Sequence, residues 1–309
     1  MSDRIFILGA GAIGMALAVH LIQNSRDVCL VRTSRDDVQE QIVTISLTNI
    51  KNETIDVQAR MVSLHNIERL EGLVVITAKT YANESISEKL DQKNVQSPIV
   101  IMQNGLAIEQ PYLDAGFAEI YRCVLFSASQ KLNEYSVLHT PIVSSPIGII
   151  RGSEKKLEEI VATLSTPDFQ FSSELNITEI IWQKAIINSV YNTVCPLLEI
   201  DNGIFQRNSY VTDIAEGIIE ECVAVASKVG VRLDSEKIKQ RMLAISKTSD
   251  GQNISTLEDI RNQRDTEINS LNMEIARIAE NQEPRIPVEK TKLLGELILL
   301  KSKISRGNL

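Results

Sequence analysis

The sequence predicts an α/β domain with a mostly parallel sheet over residues 1–175, followed by an all-α domain over residues 176–309. Three observations predict it. At 309 residues the chain is longer than a single core usually grows. Its first 31 residues read as strand, glycine turn, helix and strand. After about residue 175, short β-type runs give way to long helical periodicity. No Gly/Ser linker marks that boundary.

Composition narrows the class. With 43% hydrophobic and 23% charged residues, the chain can fill large cores and lacks the signature of disorder. The 32 basic and 40 acidic side chains leave a net charge of −8, which argues against holding nucleic acid by phosphate neutralisation. Small metabolites, anionic ones included, stay open because local charge can oppose the net charge. Cys29, Cys123, Cys195 and Cys222 form no C-x-x-C pair and no zinc spacing, and read as buried thiols of a reducing compartment. The three histidines are too dispersed to suggest a metal site. Residues 5–22 are almost wholly apolar, and Ala16-Leu17-Ala18 imitates a cleavage site. Asp3 spoils a basic leader, however, and His20 interrupts the run. We therefore expect no signal peptide, no membrane span and a cytoplasmic protein.

The first element, Arg4 to Leu8, is the short apolar run of a strand buried on both faces. It leads into Gly9-Ala10-Gly11-Ala12-Ile13-Gly14, a G-x-G-x-x-G, and then into a helix carrying Ile13, Leu17 and Leu21. Asp27 to Val31 completes the β-α-β unit. Gly9 permits the tight turn, Gly11 lets backbone approach a pyrophosphate, and Gly14 allows close helix–strand packing. Set between strand and helix, these six residues point to a nicotinamide dinucleotide; a flavin or an empty glycine turn shares the pattern. An NAD-selective site normally ends its second strand in Asp or Glu. Here Val31-Arg32-Thr33-Ser34-Arg35 comes first, which suits a 2′-phosphate and favours NADP(H) over a merely solvated basic loop.

Leu73 to Thr77 reads as another buried strand ending at Ala78-Lys79, and Ser97 to Met102 as the next, ending at Gln103-Asn104-Gly105. Residues just past strand carboxyl ends line the ligand crevice of an open α/β sheet, so Lys79 and Asn104 belong near the cofactor. Ile120 to Ser127 and Ser136 to His139 suggest further strands, and Ser153 to Leu164 a helix.

In the second domain Thr178 to about Val194 is the informative helix. It is apolar apart from a few positions, among them Lys184, Asn188 and Asn192, each four residues after the last. That stripe drifts only about 40° per step, so the three point the same way. Asn is a poor helix former, and a solvated face would favour Glu, Lys and Gln; a polar seam lining a cavity fits better. Ser255-x-x-Glu258 reads as a capping box with Ser255 as N-cap, and a helix start can also seat a carboxylate. Glu267 can pair with Arg264. Glu283 to Pro287 breaks the helical texture. A last helix, Val288 to about Lys301, is expected to turn Leu293, Leu294, Leu297 and Ile298 towards its apolar side.

These residues resemble the ketopantoate reductase family over nearly the whole chain. The likeness runs through GAGAIG at 9–14, Lys79, Gln103-Asn104-Gly105 and Trp182-x-Lys184-x-x-x-Asn188-x-x-x-Asn192. It continues with Asp201-Asn202-Gly203, Asn253-Ile254-Ser255, Asp259-Ile-Arg261 and Arg264-x-Thr-Glu267. The helix with Lys184 and both asparagines, followed by S-x11-E, is far more selective than the glycine turn. The resemblance implies a Rossmann-like first domain, a helical second domain and a site between them. It implies Lys184 as proton donor, with Glu267 completing the site. Asn188, Asn192, Asn202, Asn253 and Ser255 would bind a small 2-oxo acid, and Asn104 would touch both ligands. Lys79 and the backbone near Ala128 would join the glycine turn in holding NADP(H); Arg32, read from the end of the second strand, and Glu267 are further cofactor-binding candidates. Met273 departs from the family, which commonly has glycine there, and its bulk is expected to tighten packing near the site. A related reductase of another branched 2-oxo acid and a non-catalytic NADP(H)-binding regulator remain alternatives. Opine-type or hydroxyacyl chemistry would more naturally need a His–acid pair, yet no histidine lies beyond His139. Oligomeric state stays open, a homodimer included.

Overall fold

A computed structural model describes residues 4–308. The described chain divides into two compact units, one running to Gln103 and including Ile108–Ile177, the other Asn104–Ala107 with the chain from Thr178 onward.

In the first unit the elements are β1 (Ile5–Leu8), α1 (Ala12–Gln23), β2 (Val28–Arg32), β3 (Gln41–Thr48), β4 (Thr54–Ser63), β5 (Leu73–Ile76), α2 (Asn83–Gln92) and β6 (Ile99–Ile101). They continue as α3 (Gln110–Asp114), β7 (Ile120–Cys123), β8 (Ser127–Asn133), β9 (Ser136–Pro141), β10 (Ser145–Arg151), α4 (Glu154–Leu164) and β11 (Phe171–Ser173). All strands join one sheet, ordered β11-β10-β7-β6-β5-β1-β2-β4-β3-β9-β8. Seven pairings are parallel and three antiparallel. This is the Rossmann-like, mostly parallel sheet that the sequence predicts. Because β1 is flanked by β2 and β5, the strand order reverses at β1, and a crevice opens beyond the carboxyl ends of these strands.

Strand alternation divides the core between two faces. Ile5 and Ile7 pack with Met15, Leu17 and Leu21 of α1 and with Leu157 and Ile160 of α4. Phe6 and Leu8 pack on the opposite face with Ile86 and Leu90 of α2 and with Tyr112 of α3. Within the first face lies a polar contact, His20 Nε2 to His139 Nδ1 at 3.0 Å, with Phe169 against both rings.

One strand expectation is revised. The run from Ile120 to Ser127 breaks at 124–126: Val124 N–H makes the last bond to β10, at the Pro146 carbonyl, and Phe126 N–H then turns to the Ser145 side chain, donating to Oγ. β8 then pairs with β9 as a separate hairpin, so Ser127 belongs to a different strand from Ile120. The hairpin β3–β4 fills a stretch where sequence reading named no element.

The second unit is helical, with α5 (Ile177–Leu198), α6 (Ile204–Arg207), α7 (Ser209–Lys228), α8 (Ser235–Thr248), α9 (Ser255–Arg261), α10 (Asn272–Glu280) and α11 (Glu289–Ser305). Ile186, Val190 and Tyr191 of α5 are buried, and Tyr191 Oη donates to the Met242 carbonyl of α8 at 2.8 Å. The expected apolar side of the last helix is corrected: Leu293 and Leu297 are exposed and Leu294 half-buried, leaving Ile298 in the core. Periodicity gave the stripe but not the side facing inward. All four cysteines are buried free thiols. Among the described residues no helix is long and apolar enough to cross a membrane.

Candidate active site

The glycine turn of the first unit shows a separate physical reason for each glycine. Gly9 has φ +129°, a region that side chains rarely adopt, and a Cβ there would meet Ala78 backbone nitrogen at 2.4 Å. Gly14 lies against the turn, and a Cβ on it would come within 1.9 Å of the Gly9 carbonyl oxygen. Gly11 is different: it is exposed, and a Cβ would meet nothing within 4 Å. Gly11 also caps α1, which has no side-chain cap and no acidic residue in its first turn. The start of α1, Ala12 and Ile13 included, therefore presents backbone N–H groups and the positive end of the helix dipole beside open space, a seat that fits a phosphate. Thr77 Oγ1 donates to the Gly9 carbonyl at 2.9 Å, and Thr77 and Ala78 N–H groups both reach Leu8 oxygen at 2.9 Å. The end of β5 is thus pinned to the turn, and Lys79 follows, half-buried.

Arg32 closes β2 with its side chain half-buried. Its guanidinium stands 5.8 Å from the Tyr135 ring centroid, donates to Met61 sulfur and pairs with Glu134 at 3.0 Å. Arg35 makes a two-pronged pair with Asp37, which raises its pKa through that hydrogen bond. The carboxylate missing from the end of β2 in sequence is therefore supplied by the β8–β9 hairpin, and sequence reading missed Glu134 because it lies 102 positions away. Ala128 is exposed on β8, opposite Thr140.

In the second unit α5 places Lys184 and Asn188 half-buried and Asn192 buried along one stripe. The Asn192 side-chain oxygen has no hydrogen-bond partner among the described residues. Asn202, beyond the end of α5, is also buried with an unpartnered Oδ1, while its backbone is held at both ends. Its N–H donates to the Gln252 carbonyl at 2.9 Å, and its carbonyl accepts from Ser246 Oγ at 2.8 Å. Asp201 fixes this corner through Arg207 and the Gly203 and Gly251 N–H groups, a set that pulls its carboxyl down to about 2. Asn202 is thereby brought to the stretch containing Asn253.

Asn253 is exposed and donates to Glu258 at 3.0 Å. Glu258 also accepts from Arg261, and these partners explain a correction. The capping box does not form: Ile254 occupies the cap position of α9, no side chain caps the helix, and Ser255 is its exposed first residue. Arg264 likewise pairs with Asp259 at 2.8 Å rather than with Glu267.

Asn104, half-buried, sits in the short segment that belongs to the helical unit. Leu106 N–H donates to the Ser270 carbonyl at 2.8 Å, and a Cβ on Gly105 would meet Ser270 Oγ at 2.6 Å. Ser270 Oγ donates in turn to the Glu267 carbonyl at 2.9 Å. Ser270, which sequence reading did not single out, thus meets both the Gly105–Leu106 turn that follows Asn104 and the backbone of Glu267. Asn272, fully buried, donates to the Ser189 carbonyl of α5 and the Thr291 carbonyl of α11, bracing the helix that carries Lys184.

A family model described as ketopantoate reductase PanE/ApbA matches residues 5–152, and its C-terminal counterpart matches residues 176–298. The chain belongs to the ketopantoate reductase family. It is 26% identical to the 2-dehydropantoate 2-reductase of Pyrococcus abyssi over 280 residues, covering 90% of this chain and 91% of the relative. Its fold is similar to a PanE/ApbA family ketopantoate reductase from Ralstonia eutropha JMP134, with TM-score 0.84, 20% identity and coverage of 98% and 99% of the two chains. It is also similar to D-mandelate dehydrogenase solved with NADH and anilino(oxo)acetate, with TM-score 0.85, 19% identity and the same coverage. Family membership makes the chain an oxidoreductase acting on a CH–OH group. Its Met273 meets a glycine elsewhere: the sulfur lies 2.9 Å from where a Cβ on Gly295 would stand, so the bulk fits a notch in α11.

Proposed function

We propose that this chain reduces 2-dehydropantoate (ketopantoate) to (R)-pantoate with NADPH, a step towards pantothenate and coenzyme A. The observation that carries the reading is the stripe on α5: one ammonium and two amides on an otherwise apolar helix, one amide oxygen buried without a partner. A buried acceptor left unpaired is costly unless a ligand donor reaches it. Asn192 and Asn202 suit the substrate hydroxyl, and Asn188 the carbonyl. Ser255, whose hydroxyl is not engaged in capping, takes the carboxylate with Asn253. Asn104 is assigned to both ligands.

NADPH held at the glycine turn would supply the hydride for the 2-oxo carbon. Negative charge develops on the carbonyl oxygen, and Lys184 stabilises it and transfers a proton from its ammonium group, regaining one from water afterwards. Asparagines position the substrate without a competing charge. Glu267, whose backbone carbonyl accepts from Ser270 beside the Gly105–Leu106 turn, completes the site at that end. The glycine turn and α1 hold the pyrophosphate with Lys79 and the backbone near Ala128. Arg32 takes the 2′-phosphate once released from Glu134.

Oxidation of NADPH by the purified chain, followed by absorbance, tests this. Ketopantoate should be the preferred substrate, with kcat/KM falling about 10²-fold or more for the analogue lacking its hydroxyl. Equal rates would favour a second reading, reduction of another branched 2-oxo acid, which the fold shared with D-mandelate dehydrogenase supports. Tight NADPH binding with no turnover of any 2-oxo acid would overturn both in favour of a regulator.

A further inference from the structure

Two amides of the N-terminal unit are buried where nothing in the proposed chemistry uses them. Asn83 begins α2 and Gln103 lies just past the end of β6; both are buried. They bond reciprocally, Asn83 Nδ2 donating to Gln103 Oε1 at 2.9 Å and Gln103 Nε2 to Asn83 Oδ1 at 2.8 Å. The second hydrogen of each amide goes to a main-chain carbonyl: Gln103 Nε2 to Ala78 at 2.6 Å, and Asn83 Nδ2 to Ile108 at 3.0 Å. Tyr112 Oη, buried on α3, donates to Asn83 Oδ1 at 3.3 Å. Turning either amide over would set its oxygen against a carbonyl, so the partners fix both orientations. A buried network with every donor used is rigid, and losing one member strands the others.

The four residues joined in this way bracket two short segments. Ala78 and Asn83 flank 79–82, which carries Lys79; Gln103 and Ile108 flank 104–107, which carries Asn104. Pairing of β5 with β6 ends at Ile76 and Ile101, and Met102 N–H makes the last sheet bond, to the Ile76 carbonyl. Past that point the sheet no longer ties the two strand ends, and the Gln103 side chain does. Ala78 is held from its other side as well, its N–H donating to the Leu8 carbonyl at 2.9 Å beside the glycine turn.

We propose that Asn83 and Gln103 act together as positioning residues, setting the backbone of Lys79 against that of Asn104. This rests on the roles proposed above for Lys79 at the cofactor and Asn104 at both ligands; the amides themselves touch neither ligand.

Gln103→Met keeps the length of the side chain and removes both donors. NADPH Kd, read by fluorescence titration, should rise about tenfold, and kcat/KM for ketopantoate should fall about 10²-fold, the scale expected of groups displaced by about an ångström. A double-mutant cycle separates positioning from scaffolding. Lys79→Met should weaken NADPH binding about tenfold in the wild type, but less than about threefold beside Gln103→Met. A purely structural amide would lower the melting temperature and leave Lys79 worth the same in both backgrounds. Should Gln103→Met fail to fold, the double variant Asn83→Leu/Gln103→Met, in which neither amide faces a missing partner, takes its place in the same measurements. Unchanged Kd and kcat/KM in a folded variant would overturn the proposal, as would losses that simply multiply with that of Lys79→Met. A wild type that binds NADPH but turns over no 2-oxo acid would instead sink the reaction assigned above, and the Kd cycle would still decide the role of the amides.

Discussion

In the N-terminal unit the groups assigned to the cofactor are mostly backbone: an uncapped helix start, a turn held at φ +129°, and a glycine with nothing within 4 Å of its missing Cβ. In the helical unit the groups assigned to the substrate are mostly side chains, set along α5 and at the Asp201–Gly203 corner. The first arrangement tolerates exchange of many side chains but no added atom at Gly9 or Gly14. The second tolerates local repacking but no loss of a functional group. One half recognises a phosphate through shape and dipole; the other recognises a small molecule through individually placed hydrogen-bonding groups.

The largest expected effect separates the halves most sharply. Lys184→Ala should lower kcat by about 10²–10⁴-fold while the NADPH Kd, read by fluorescence titration, stays within about twofold. A comparable loss of NADPH binding would break the division of labour. Two glycines then divide the turn itself. Gly14→Ala, which drives a Cβ into the Gly9 carbonyl, should destabilise the unit by roughly 1–3 kcal/mol or more in denaturant titration and weaken NADPH binding with it. Gly11→Ala should leave stability nearly unchanged yet weaken NADPH binding about tenfold, since its Cβ enters open space that the phosphate needs. If both variants behave alike, the turn is a packing device and not a ligand seat.

An effect confined to low pH comes from the buried histidine pair of the N-terminal unit. Burial lowers both pKa values, that of His139 to about 4, so the pair is neutral when folded. The unfolded chain takes up protons near the ordinary histidine value of about 6.5, so stability is full above that pH. It is lost as pH falls from there towards 4, by up to about 3 kcal/mol. Melting temperature against pH should show this slope, and His139→Phe should flatten it. The smallest effect concerns Arg32. The ion pair with Glu134 is largely exposed on the Glu134 side and worth little by itself, about 0–1 kcal/mol. Glu134→Gln should therefore raise NADPH affinity a few-fold and leave NADH affinity unchanged.

The legibility of the two halves differs for the same physical reason. The glycine turn could be read because its requirements are local: a positive φ, a close approach and an open face all fall within six consecutive residues. The α5 stripe could be read because helical geometry alone sets which residues share a face. Glu134 could not, since only the pairing of β3 with β9 brings the β8–β9 turn that carries it to Arg32. The N-cap role of Ser255 could not be read, because Glu258 finds Asn253 and Arg261, partners from outside the four-residue motif. Ser270, which meets the Gly105–Leu106 turn and the Glu267 backbone, carries no sequence signal of its own.

Sequence by itself determined the α/β-then-α order, the glycine turn and the set of polar residues on α5, because backbone sterics and helix period act over short stretches. Tertiary structure decided which face of α11 turns inward, which carboxylate meets Arg32 and which buried amide oxygens stay unpaired. Those outcomes depend on what distant segments place opposite a residue, and periodicity, which reports only relative direction along one element, carries no information about that.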